Sequence, residues 1–159
     1  MTAISDPDLA LRDAQKAIQS GDFATARQIT DALLAGEPTH KEALYMAAVC
    51  ARYEGRSADA LAHLDALKSL SPDFGRAYQE EGHLKRKLGD LSGAVGAFER
   101  ATRYNPALMA SWSALADLYL QAGNTDAATN ARAQADRVRA LPRELQAVTN
   151  HIHEGRVFR

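Results

Sequence analysis

The residues of this chain whose types could do chemistry fall into four small groups. The stretch at 88–98, LGDLSGAVGAF, sets Gly89, Gly93 and Gly96 ahead of a helical pattern, as a phosphate-cradling loop would. Such a loop needs a preceding strand or the pattern GxxxxGK[ST], and neither is present. His151, His153 and Glu154 invite a metal, yet histidines at i and i+2 leave different sides of a helix, whereas metal-binding helices use i and i+3 or i+4. Cys50 is the sole cysteine, so neither an intrachain disulfide nor a cysteine metal site can form, and its apolar run at 47–51 reads as packed core. The basic groups are Lys85-Arg86-Lys87 and, later, Arg132, Arg137, Arg139 and Arg143. Acids such as Glu80, Glu81 and Asp136 interleave with them and no aromatic platform accompanies them, so they read as solvated helix faces. No Ser/His/Asp or Cys/His set can be argued. The expectation is a chain that is not an enzyme and uses no metal or cofactor.

Composition agrees with an ordinary globular chain. Of the 159 residues 46% are apolar and 25% charged, enough for a buried core and too apolar for disorder. Nineteen basic residues against twenty acidic ones leave a formal charge of −1, which calls for neither nucleic acid nor an anionic membrane. No apolar run approaches the ~20 residues needed to span a bilayer, and the N-terminus lacks the pattern of a signal peptide. The expected location is cytoplasmic.

The elements that carry these residues repeat. Gly21, Gly55, Gly89 and Gly123 are each 34 residues apart, and an alanine follows five residues after each: Ala26, Ala60, Ala94 and Ala128. Pro38, Pro72 and Pro106 keep the same period. Between these markers the apolar residues recur at helical spacing. Helix formers run up to just before each glycine, which can adopt the left-handed conformation that ends a helix, and a second helix then runs to the proline, which cannot continue it. Each unit is therefore a helix, a turn and a helix, and Gly89 is a turn. Gly93 and Gly96 fall inside a second helix, where each costs about 1 kcal/mol against alanine; close packing on the next repeat is the expected reason.

This pattern resembles the tetratricopeptide repeat. The fourth unit supplies Trp112, Leu115, Tyr119, Ala128 and Ala135 of the family signature, and the third Tyr78, Gly82, Ala94, Phe98, Ala101 and Pro106. The second matches through Leu44, Ala48, Ala60, Leu64, Leu67 and Pro72, and the first through Ala14, Ala26, Leu33 and Pro38. Arg132 departs from the pattern, being charged where the family has a large apolar residue. The resemblance implies an all-α, right-handed solenoid of four repeats, at about 7–40, 41–74, 75–108 and 109–140, forming one domain with a partial fifth repeat or capping helix at 141–159. Pro142 sits two residues beyond its expected place, and Leu145, Val148 and Ile152 would form the apolar side of that cap. Val157 and Phe158 would then lack cover, so any weak homodimer is expected through the C-terminal end and the chain is otherwise a monomer.

In the family, first helices line a concave groove for an extended peptide or a helix. Carried over, the lining here is Leu11, Gln15 and Ile18, then Tyr45, Val49 and Arg52, then Gln79, His83 and Arg86, then Ser113, Asp117 and Leu120. The peptide-binding set drawn from these is Tyr45, Val49, Arg52, Gln79, His83, Arg86, Ser113 and Asp117. The clamp of lysines, asparagines and arginine by which some members hold chaperone tails is missing in either register. The resemblance thus implies a protein or peptide partner, with no nucleic acid and no membrane. The segment at 141–159 also looks like that of bacterial tetratricopeptide proteins with a sulfotransferase domain downstream; the alternative is therefore the N-terminal array of a longer enzyme.

Overall fold

The computed structural model describes residues 4–146. Among them are eight α-helices that fall into two compact units, one ending at Pro72 and one starting at Asp73. The first holds α1 (Pro7–Gln19), α2 (Phe23–Gly36), α3 (Lys41–Tyr53) and α4 (Ser57–Leu70); the second holds α5 (Gly75–Lys87), α6 (Leu91–Tyr104), α7 (Met109–Gln121) and α8 (Thr125–Ala140). Within the first unit α1 packs on α2, α2 on α3 and α3 on α4; within the second, α5 packs on α6, α6 on α7 and α7 on α8. None of these helices is long and apolar enough to cross a membrane.

Each pair turns by the same local chemistry. Gly21, Gly55, Gly89 and Gly123 have φ of 79, 76, 83 and 81°, the left-handed region. The residue after each donates its N–H back across the last turn, as from Asp90 to the Lys85 carbonyl at 2.9 Å and from Asn124 to that of Tyr119 at 2.8 Å. These bonds satisfy carbonyls that the end of a helix would otherwise strand. In three pairs the same residue then caps the next helix: Asp22, Asp90 and Asn124 accept from the N–H groups of Thr25, Gly93 and Ala127 at 3.2, 2.9 and 3.2 Å. Arg56 occupies that position in the remaining pair and reaches Glu54 and Asp59 instead, at 2.7 and 3.0 Å. At the far ends α2, α4 and α6 stop two residues short of Pro38, Pro72 and Pro106. The displaced Pro142 lets α8 run two residues longer, to Ala140.

The helices of a pair approach closely because small residues recur where they cross. Ala26, Ala60 and Ala94 are fully buried and Ala128 nearly so. A second buried small position recurs in the first helices as Ala14, Ala48, Gly82 and Ala116. A Cβ on Gly82 would lie 2.8 Å from the ring of Phe98, so the absent methyl is the seat of that ring. Phe98 joins Ala94, Ala114, Leu115, Ala116, Leu118 and Ala131 in the core of the second unit. Cys50 lies in the core with Ala17 and Ala26, as expected of a packed thiol; burial pushes its pKa up to about 11, with the Glu54 carboxylate adding to the shift.

Close packing on the next repeat does not explain the other helical glycines. A Cβ on Gly93 would run into the carboxylate of Asp90, so the glycine keeps clear the oxygen that caps α6. Around Gly96 there is open space, and nothing in the structure explains it. The contrast predicts opposite signs for one methyl group. Gly89→Ala should destabilise by about 1–2 kcal/mol, because the turn forces a left-handed backbone, and Gly96→Ala should stabilise by about 0.5–1 kcal/mol. Urea unfolding of the two variants measures both.

Residues 143–146 are helical, and the Gln146 N–H donates to the Pro142 carbonyl at 3.0 Å, so a further helix begins where expected. The rest of the expected cap, with Val148, Ile152, Val157 and Phe158, lies outside the described residues, as do His151, His153 and Glu154.

Candidate functional site

A helix places residues i, i+4 and i+7 on one face, and each first helix after α1 offers such a set. On α3 these are Tyr45, Val49 and Arg52. Tyr45 is half-buried and Val49 is buried in the core, and the Arg52 guanidinium lies 4.4 Å over the ring of Tyr53. On α1 the corresponding Leu11 and Ile18 are half-buried and Gln15 is exposed.

In the second unit the set makes contacts across helices. Gln79 on α5 accepts a hydrogen bond from the hydroxyl of the fully buried Ser111 on α7, at 2.7 Å. One turn on, the His83 ring meets Phe98 edge-on, with centroids 5.1 Å apart and planes at 77°. Arg86 then lies 3.8 Å from Asp117 of α7, whose other carboxylate oxygen receives Arg132 of α8 at 3.3 Å. The side chains of Arg86, Asp117 and Arg132 are 40, 53 and 54% exposed. Ser113 is half-buried on the same face of α7, and Leu120 is exposed at its end.

Of the expected set, Arg86 and Asp117 meet as an ion pair; Arg132 and Ser111, which join these contacts, were not in that set. Arg132 holds a register position that in the third repeat is filled by Phe98, a core residue, so nothing in the period points it at Asp117. Its charge at an apolar position was the signal. Exposed ion pairs of this kind contribute only ~0–1 kcal/mol. Two arginines thus stand beside one acid on this face. Among the described residues no group of three histidine, cysteine or acidic side chains could hold a metal.

Helix–turn–helix pairs on a 34-residue register, with small residues where the helices cross, define a tandem helical-repeat protein of the interaction-scaffold class. Two models of the tetratricopeptide repeat match residues 17–83 and 80–142, so the chain belongs to the tetratricopeptide repeat family. Among solved structures it is similar to TTC0263, a thermophilic tetratricopeptide protein of Thermus thermophilus, at 21% identity and a TM-score of 0.71, over 94% of this chain and 81% of that one. MamA is also similar, at 17% identity and a TM-score of 0.70, over 90% and 81% of the two chains. A MamA fragment from Desulfovibrio magneticus aligns at 19% identity and a TM-score of 0.68, over 84% and 76%. These identities speak to the fold alone. Comparison with curated proteins found no match. The chain is thus a protein-interaction scaffold of the tetratricopeptide type.

Proposed function

We propose that the second unit binds an acidic peptide or helix along the face of α5 and α7, with Gln79, His83, Arg86, Ser113 and Asp117 as its contact residues. The observation that carries this reading is Asp117 held between Arg86 and Arg132. A ligand carboxylate takes the place of Asp117 on one or both guanidiniums, whose planar forks suit it. Gln79, fixed by Ser111, offers an oriented amide for the ligand backbone. Tyr45, Val49 and Arg52 form the corresponding face of the first unit; with Val49 buried, Tyr45 and Arg52 carry any contact there. The reading of the chain as an array belonging to a longer enzyme rests on 141–159, of which only 141–146 are described, and no observation on those residues favours it.

Peptides selected by display against the full chain test the proposal. Arg86→Ala should weaken the selected peptides by more than about 1 kcal/mol, roughly fivefold in affinity. Arg103→Ala and Arg137→Ala, exposed on α6 and α8, should leave affinity within about twofold. Equal losses in all three variants, or selected peptides without acidic residues, would refute it.

A further inference from the structure

Ser111 departs from the register of its own position. Thirty-four and sixty-eight residues earlier, the first helices α5 and α3 carry Ala77 and Ala43 there, both fully buried. In α1 the position is Leu9, which is exposed, so α3 and α5 are the helices that pack this position as α7 does. Alanine suits that packing, and Ser111, also fully buried, adds only a hydroxyl to it. A hydroxyl taken out of water costs free energy unless it finds a partner. In a helix the usual partner is a carbonyl about one turn back, as Thr30 and Thr102 show with Arg27 and Glu99, both at 3.1 Å. Ser111 instead crosses to α5 and meets Gln79 at 2.7 Å.

That contact fixes which way the Gln79 amide points. The Ser111 hydroxyl has one hydrogen and, among the described residues, no other acceptor, so it donates to Oε1 of Gln79. With Oε1 turned to Ser111, the two N–H groups of the planar amide turn away from it, and among the described residues Gln79 makes no other hydrogen bond. The side chain is only half-buried, which leaves those N–H groups at the surface. A second anchor lies on the same seam. Arg86 follows Gln79 by seven residues, on the same face of α5, and it too reaches across to α7, at Asp117. Seven residues of helix span about 10 Å. An extended segment covers that distance in about three residues, and its main-chain carbonyls are not bonded within the segment. A helical ligand has its carbonyls bonded internally except in the last turn. Outward N–H groups in need of an acceptor therefore suit the extended form.

We infer that Ser111 is a positioning residue. It holds the Gln79 amide with its N–H groups toward the ligand, where they select an extended acidic segment whose main-chain carbonyl lies about three residues from the side chain taken by Arg86. This rests on the acidic-peptide reading above and narrows it, excluding a helical ligand.

The probes are acidic peptides selected by display against the full chain and weakened by Arg86→Ala. Titration calorimetry compares the full chain with Ser111→Ala, Gln79→Ala and the double variant. Ser111→Ala should keep the fold, as alanine does at the same register position in α3 and α5, and should weaken the peptides about threefold to tenfold. In the Gln79→Ala background the same change should alter affinity by less than about twofold, because no amide is left to position. Replacing peptide amides by esters one at a time weakens each carbonyl in turn as an acceptor. One ester, about three residues from the acid that depends on Arg86, should cost about threefold or more in the parent and less than about twofold in Gln79→Ala. The ester comparison uses no change at Ser111, so it decides the point should that variant unfold. Four results would each overturn the inference and leave the acidic-peptide reading standing: unchanged affinity in a folded Ser111→Ala, equal losses with and without Gln79, no ester that couples to Gln79, or peptides found helical when bound by transferred NOE. Binders indifferent to Arg86→Ala, or no binder at all, would sink both.

Discussion

Phe98→Ala should remove about 3–5 kcal/mol of stability, the largest single loss expected in the second unit. The ring is fully buried, sits on the bare Cα of Gly82, takes the edge of His83 and joins a cluster built from α6, α7 and α8. Two effects add: the lost transfer of the ring from water and the cavity it leaves, which helices pinned by turns at both ends cannot close. Gly82→Ala tests the same contact from the other side. A methyl placed 2.8 Å from three ring atoms must displace the ring, at a cost of about 1–3 kcal/mol. In the double variant the added methyl partly fills the space vacated by the ring, so the two losses should sum to less than their separate values by about 1 kcal/mol or more. Chemical unfolding of the four chains measures the cycle. Strict additivity would mean that Gly82 and Phe98 do not share one packing site.

Leu64→Ala should cost about 2–5 kcal/mol, whereas Arg132→Ala, in the same register position two repeats on, should change stability by less than about 1 kcal/mol. Thr30, Leu64, Phe98 and Arg132 are spaced by the 34-residue period. The first three are fully buried; Thr30 turns its hydroxyl to the Arg27 carbonyl at 3.1 Å, which satisfies its polar group inside the core. Arg132 alone is exposed, and its guanidinium goes to Asp117. Repeat position therefore does not set energetic weight by itself; burial does. A measured loss at Arg132 comparable to that at Leu64 would show that the Arg86–Asp117–Arg132 contacts hold structure together, and would remove the argument that Asp117 can be exchanged for a ligand carboxylate.

The sequence by itself determined the elements. Each helix boundary depends on groups within about one turn of it: a glycine that can take positive φ, an Asp or Asn cap, a proline that cannot continue a helix. These are local conditions, so the spacing of Gly21, Gly55, Gly89 and Gly123 with Pro38, Pro72 and Pro106 placed the helices to within a residue or two. That α8 runs two residues longer, to Ala140, ahead of the displaced Pro142 was not read from the spacing. Small buried positions such as Ala94 and Gly82 were legible for the same reason, since they repeat with the period that brings two helices together.

Contacts between side chains on different helices were decided only in the tertiary structure. That Asp117 reaches both Arg86 and Arg132 and that Val49 turns into the core depend on distances between helices, to which the spacing of residues along the chain is blind. An open cavity between α6 and α7 shows this most directly. Leu91, Val95 and Gln121 are unremarkable as letters, and they line one cavity only because the fold sets α6 beside α7. The volume of a cavity is a difference between what the backbone encloses and what the side chains fill, and only the folded chain contains both quantities.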